Sequence, residues 1–496
     1  MDVEFLRYQF EEGYEDVAVK RRFRIGVRHL QILYMLVCST VMGTMRSTTG
    51  VAVLAMTDAT RRNDTYIQIH DWDRRIQGMV LSSFFFGYAL MLVPAELFLN
   101  KFGGKWTLTA SLLVNGALCA AMPTIANKGG WIAVCNAQLL MGMTQSCLAP
   151  ANQSLLANWL PPNERKFFGP LIFGGNLLGI VIALPISGLL SEAALGWELI
   201  FYAQAMQMLS MAAVWGLLTA SSPERHQAIG DAEKEYIEET LKAHHKKSVQ
   251  RPWRAIMKSS HFWAVMSAHA ASNAVFTFFL VEVPAYLQSF RISLRDSSWQ
   301  SLLPFAVMWL VHVSTAPIVA WLHETGCISY VMSLTHFRKL INALGAFGMA
   351  TGLTMLSYLS PDSGHLALTV LIGILGLLGF QYSGFLGNHG DMSPDHSGTT
   401  LMMTNVFGGL VGSAVPYISG LIISDNLADQ SRWRIVLLSL ASVCIVCNII
   451  YTVLGTSEHQ DWSYRGVKQK FGYHNELELE ELKDSILFRT KDHTDV

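Results

Sequence analysis

The chain has 496 residues, 51% of them hydrophobic and 15% charged, with mean hydropathy +0.31 and formal net charge −1. Soluble domains carry about 25% charged residues. The deficit excludes one large soluble core and indicates a polytopic membrane protein, and the near-neutral balance gives no basis for a nucleic-acid partner.

The first thirty residues are charged ("RRFRIGVRH") and precede the first apolar run, so no cleavable signal peptide is expected. A membrane-spanning helix needs roughly 20 mostly apolar residues. Twelve such runs are predicted, near 30–57, 76–100, 106–126, 131–159, 167–191, 198–220, 260–290, 299–322, 338–359, 365–390, 397–424 and 432–455. The polar stretch 221–258 ("GDAEKEYIEETLKAHHKK") separates the sixth from the seventh and patterns as an amphipathic helix at the membrane surface. The fold expected is therefore all-helical, with two pseudo-symmetric six-helix bundles at 30–220 and 259–456. Segment 1–29, the central loop 221–258 and the acidic tail 457–496 ("NELELEELKDSILFRTKDHTDV") should be cytoplasmic.

Loop charges support that orientation. Lys20, Arg21, Arg22, Arg24 and Arg28 precede the first span; Lys101 and Lys105, then Arg165 and Lys166, mark the second and fourth loops. Arg338 and Lys339 ("HFRKL") read as anchors or gate residues in the eighth loop. The first loop balances arginines against aspartates and falls on the other side. Its sequon, Asn63-Asp64-Thr65, is an accessible glycosylation candidate at Asn63, whereas Asn152-Gln153-Ser154 lies within a span and reads as chance.

In the first span, "VMGTMRSTTGVAV" places Arg46 near mid-membrane, at a cost of about 2.5–3.5 kcal/mol on insertion scales. Ser39, Gly43, Arg46 and Gly50 share one small, polar helical face, which should line the bundle interior. Arg46 then clamps a carboxylate or phosphate, or else pairs with a fixed carboxylate. Tyr88 in the second span can hydrogen-bond a substrate oxygen or simply pack.

The halves echo each other. "FGGNLLG" precedes "PISGLL" in the fifth span, and "FGGLVG" precedes "PYISGLI" in the eleventh; small residues there let helices approach closely. The seven cysteines are scattered, and Cys444/Cys447 lie in one apolar helix without a partner pair, as packing residues do. No phosphate-binding glycine loop with its lysine, HExxH or GxSxG occurs, so no enzyme and no cofactor is expected.

Across nearly the whole chain the motifs resemble the anion:cation symporter branch of the major facilitator superfamily, which includes vesicular glutamate transporters, sialin and type I sodium–phosphate cotransporters. They are "RSTTGVAVLAM", "SSFFFGYALMLVPAELFLNKFGGK", "NWLPPNER", "GWELIFY", "SPERHQAIGDAEKEYIEETL", "RPWRAIMKSSHFWAV", "LVEVPAYL" and "GNHGDMSP", in that order. The resemblance implies transport of organic anions or phosphate driven by protons, sodium or membrane potential, with alternating access by rocking of the two halves. It also implies anion contact by Arg46 and Tyr88.

The same resemblance exposes departures. Relatives carry an arginine and, seven residues on, a proton-accepting glutamate in span four; Gln138 and Gln145 stand there. Neither titrates, but both can line the site or bond between helices. Ser272 stands where glutamate transporters place a second arginine in span seven. Glu96 in "MLVPAE" replaces a "TQIPGG" pattern and reads as a gating or structural partner of Lys101.

His269 in span seven can titrate near neutral pH or sit as a satisfied core residue. Glu282 near the far end of that span can gate, pair with a cation or face water. Asn388, His389 and Asp391 cluster at the end of span ten, as an inward gate or as a coupling site for a proton or sodium. Asn405 in span eleven is read as interior. The overall expectation is a transporter of a small anion acting as a monomer, in the plasma membrane or a vesicular or lysosomal one. An uncoupled facilitator and a non-transporting sensor are the alternatives.

Overall fold

The computed structural model describes residues 26–61, 68–243, 252–393, 396–423, 429–460 and 462. Most of the acidic tail, the basic N-terminal segment and the Asn63 sequon lie outside them. Among the described residues the secondary structure is helical, with no strand.

Span one is Val27–Met56. The next helix, Arg74–Gln145, runs for 72 residues but leaves helical geometry at Gly103 (φ 76°, ψ 167°) and Gly130 (φ 65°, ψ −168°). Left-handed φ is cheap only for glycine, so these two positions turn the chain and divide the segment into spans two, three and four. Leu148–Trp159 completes span four. Spans five and six are Pro162–Ser191 and Gly196–Leu218. Span seven is Ser260–Val281, extended by the short helix Val283–Gln288. Spans eight to twelve are Leu294–Glu324, Leu334–Ser357, Gly364–Met392, Ser397–Ile423 and Gln430–Leu454.

Packing repeats between the halves. Span one packs on span five as span seven packs on span eleven, and the other inner pairs correspond too. The glycine runs explain why. A Cβ at Gly179 would collide with the Thr40 carbonyl, and one at Gly412 would lie 2.8 Å from Thr277 Oγ1. Each half thus presses its "FGG…G" helix against its first helix, backbone to backbone. The halves meet where span two lies on span eleven and span five on span eight.

The end of the molecule at which span one begins carries Arg28, Arg165 and Arg338, and is called here the basic end. The central-loop helix, Asp231–Ala243, differs from the surface helix expected. It packs on the protein: Ile237 is fully buried, and Glu233 accepts from the backbone N–H of Val27 (3.0 Å) and Arg28 (3.2 Å). The Arg28 guanidinium bonds both Glu233 (3.3 Å) and Glu164 (3.0 Å). The free N–H groups at the start of span one find their acceptor here, which fixes the helix on protein rather than lipid.

Candidate functional site

Just past the middle of span one, Arg46 opens onto a cavity of about 110 Å³. Span one contributes Ser39 and Arg46, span two Tyr88, span four Gln145 and Asn152, and span five Asn176. Apart from the arginine, the polar lining is a hydroxyl, a phenol and three amides, so among the described residues the cavity carries a single fixed positive charge and no carboxylate.

The guanidinium lies flat on aromatic rings, its Cζ 4.5 Å from the Tyr88 centroid and 5.7 Å from that of Phe85. This is cation–π geometry; Tyr88 meets Arg46 with its ring face rather than by its hydroxyl. Among the described residues no carboxylate pairs with Arg46, and its buried Nε has no hydrogen-bond partner. Buried donors are nearly always satisfied, so this one is available to a ligand. Asn152 is in the same state: its amide nitrogen donates to Ser39 Oγ (2.8 Å), while its buried Oδ1 has no partner. The sequon reading of Asn152 conceals this role, and Asn176 gives no sequence signal at all.

Beside the cavity span four loses one helical hydrogen bond, since Pro150 has no N–H for the carbonyl of Ser146 four residues earlier; the backbone at Ser146 and Cys147 stays helical. Gln145 lines the cavity, and its amide nitrogen lies 3.0 Å from Met45 Sδ. Gln138 does not line it. Two turns away, Gln138 is fully buried with both side-chain polar atoms unpartnered, so of the two glutamines only Gln145 borders this cavity.

In the second half the clustered residues separate. Asp391 pairs with Arg338 (3.0 Å). Asn388 donates to Tyr451 Oη (2.8 Å) and accepts from Ser457 (2.9 Å). These two bonds and the Asp391–Arg338 ion pair tie spans nine, ten and twelve and the following segment at the basic end. His389 turns the other way, its Nε2 3.3 Å from Thr404 Oγ1, and the same hydroxyl lies 2.9 Å from His269 Nδ1. The expected grouping of His389 with Asp391 is therefore replaced by one of His389 with His269, through a threonine that sequence reading passed over. Asn405, the next residue, is half-buried and bonds back to the Leu401 carbonyl (3.0 Å) in its own helix rather than facing the cavity. Tyr382 of span ten lies within charge-interaction range of Arg46 and packs edge-on against Phe385, which faces His269.

At the end away from the basic one, the halves are tied together. Glu282 does not face water: it is buried and bonded to Arg74 at 2.6 Å. Glu192 and Arg295 bridge spans five and eight there at 3.2 Å. Between these ion pairs, Gly78 abuts the Pro416 carbonyl and Gly188 abuts Ser298. The lining residues of spans four and five all lie toward the basic end of those helices, so the cavity sits on the basic-end side of a closed seam.

Residues 35–416 match the family model of the Major Facilitator Superfamily. The chain belongs to that superfamily. Over 441 residues it is 32% identical to a protein of Drosophila ananassae named as a candidate inorganic phosphate cotransporter, covering 84% of this chain and 90% of the relative. It is 29% identical to sialin of Homo sapiens, covering 79% of this chain and 78% of sialin. These relatives place it in the anion:cation symporter branch, a branch of transporters and not of enzymes. Among solved structures, the D-xylose-proton symporter superposes with a TM-score of 0.66 at 11% identity, covering 86% of this chain and 99% of that one. That likeness fixes the major facilitator fold. It also accounts for the twelve spans and the repeated packing of the two halves.

Proposed function

We propose that this protein carries a small monoanion, either inorganic phosphate or a small organic anion, through the Arg46 cavity by alternating access between its two halves. One observation carries the reading: a half-buried arginine lies over Tyr88, has no carboxylate beside it among the described residues, keeps a buried Nε without a partner, and lines an amide-rich cavity. An always-charged guanidinium in low dielectric needs an anion, and the cargo supplies it. Names of relatives, phosphate cotransport among them, support the class. The single positive charge and the small volume favour a singly charged, compact anion over a larger or dianionic one.

The basic end is cytoplasmic in this reading, with both termini on that side, because the loop charges cluster there. The Asn63 loop then lies outside or in a lumen, open to glycosylation, and one chain forms a complete translocation path as a monomer. The membrane is the plasma membrane or a vesicular or lysosomal one. A proton or sodium ion moves with the anion.

The test is uptake of ³²P-phosphate and of ¹⁴C-labelled monocarboxylates into proteoliposomes by the full chain, wild type against Arg46→Ala and Arg46→Lys. Wild type takes up at least one of them; Arg46→Ala takes up none, and Arg46→Lys falls between. An anion moved equally well by wild type and Arg46→Ala overturns the clamp. An uncoupled facilitator is the second reading, favoured by Gln145, which cannot cycle a proton. It predicts uptake that ignores imposed pH and sodium gradients.

A further inference from the structure

The second half contains two buried imidazoles that the anion site does not use. His269 of span seven and His389 of span ten share one hydroxyl, that of Thr404 in span eleven, at 2.9 and 3.3 Å. Their ring centroids are 6.3 Å apart. Thr404 has a single proton, and its hydroxyl also lies 3.0 Å from the Leu401 carbonyl as a donor. With that proton given to Leu401, both imidazoles must donate to the threonine oxygen. His389 Nδ1 is then a bare acceptor, and it is buried with no hydrogen-bond partner.

The groups around the pair are otherwise neutral or already paired. Phe385 lies against His269, and Tyr382 behind it joins His312 of span eight. From span twelve, Tyr451 is engaged by Asn388. Asp391 is held by Arg338 of span nine. Among the described residues no carboxylate forms an ion pair with either ring, and Arg338, the cation beside Asp391, is already paired.

We propose that His269, Thr404 and His389 form a one-proton site, and that its proton travels with the anion. The inference rests on the anion reading above for the identity of the co-substrate, but not for the proton site itself. A proton arriving from solvent adds to the bare nitrogen of one ring, and the shared hydroxyl goes on accepting from the ring that became a cation. A second proton is opposed by the first, because two cations 6.3 Å apart repel strongly where water is excluded. The stoichiometry is therefore one proton per pair. The site is built from spans seven, ten and eleven, so the titratable group of the cycle sits in the second half instead of in span four. One proton with one monoanion moves no net charge.

Two measurements on the full chain test this. In lipid nanodiscs, ring-¹⁵N histidine spectra are recorded against pH for wild type, His269→Gln and His389→Gln, the missing signals giving the assignments. The wild-type pair should take one proton as the pH is lowered from about 8 to 4, and its second only at a proton concentration at least about tenfold higher. Each single variant should show one step. Both rings titrating together in one step, or neither taking a proton in that range, overturns the proposal.

In proteoliposomes with ³²P-phosphate or ¹⁴C-lactate, an outside-acid gradient of one unit should drive accumulation up to about tenfold in wild type. The ratio of that accumulation to counterflow exchange should collapse in the double variant His269→Gln/His389→Gln. Gradient-driven accumulation that survives in the double variant overturns the coupling role. Stepwise titration with no flux of any anion in wild type sinks the anion reading and leaves the one-proton site standing.

Discussion

The guanidinium of Arg74, at the start of span two, lies 2.6 Å from the carboxylate of Glu282, at the end of span seven. The two residues are 208 positions apart in sequence and belong to different halves. Their bond is a latch across the seam on the side away from the cavity. Arg74 is braced by Gln77 (2.8 Å), whose own amide holds Trp72 and Thr57. Glu282 stands where span seven breaks, two residues before Pro284.

Removing one partner of a buried ion pair strands the other charge, at about 3–5 kcal/mol. In a two-state transporter the seam can open to water and solvate that charge, so Arg74→Ala or Glu282→Gln should favour the state open at this end. A cysteine at Ser298, which is fully buried against Gly188, reports the change. With exposed Cys327 replaced by serine, impermeant thiol reagent added from the Asn63-loop side should label Ser298→Cys faster in either latch variant. The swap Arg74→Glu/Glu282→Arg should restore slow labelling. Equal labelling in all four proteins would mean that the latch does not hold the seam.

Tyr88 tests which part of a side chain matters. Its ring face, not its hydroxyl, meets Arg46 at 4.5 Å. Tyr88→Phe should therefore keep anion affinity close to wild type. Tyr88→Leu should weaken it by the loss of a cation–π contact, about 0.5–2 kcal/mol or roughly 2- to 30-fold in apparent affinity. The uptake KM of the two variants checks this, and a larger loss in Tyr88→Phe than in Tyr88→Leu assigns the contact to the hydroxyl instead.

Much of this was legible in the amino acids, and the remainder divides by physical cause. Twelve spans and the repeat were readable because lipid leaves only long apolar helices as an option and because glycine runs mark close packing. Arg46 was readable because a mid-membrane cation is costly and stands out. Arg74 was not, since a first-loop arginine among aspartates looks solvated until the fold brings Glu282 beside it. Thr404 was hidden for a different reason: an ordinary threonine becomes informative only when two histidines from other helices converge on it. The amphipathic central helix was found at the right place, while its clasp on the start of span one was not legible, because periodicity reports an apolar face without saying what covers it.

That central helix supports a third prediction. Glu233 is 6% exposed and takes three donors from Val27 and Arg28 at the start of span one. Glu233→Ala leaves those donors short of an acceptor, at about 1–3 kcal/mol. The variant should melt at lower temperature and be cut faster by protease within 221–258, while Glu239→Ala at an exposed position of the same helix should change neither. A Glu233→Ala protein as protease-resistant as wild type would mean that the clasp does not anchor the loop.

Gln138 separates a ligand group from an inherited position. Its amide is fully buried, contacts no hydrogen-bonding partner and does not line the Arg46 cavity. A buried polar group left unpaired costs about 1–3 kcal/mol, and replacing it by an apolar side chain of similar shape removes that cost. Gln138→Leu should thus raise the melting temperature, or leave it unchanged, and leave anion uptake intact. Gln145→Leu should reduce uptake, because that amide borders the space beside Arg46. If Gln138→Leu instead abolishes uptake in a protein that still folds, the amide meets the cargo in a second conformation of the cycle, and the two glutamines act on it in turn.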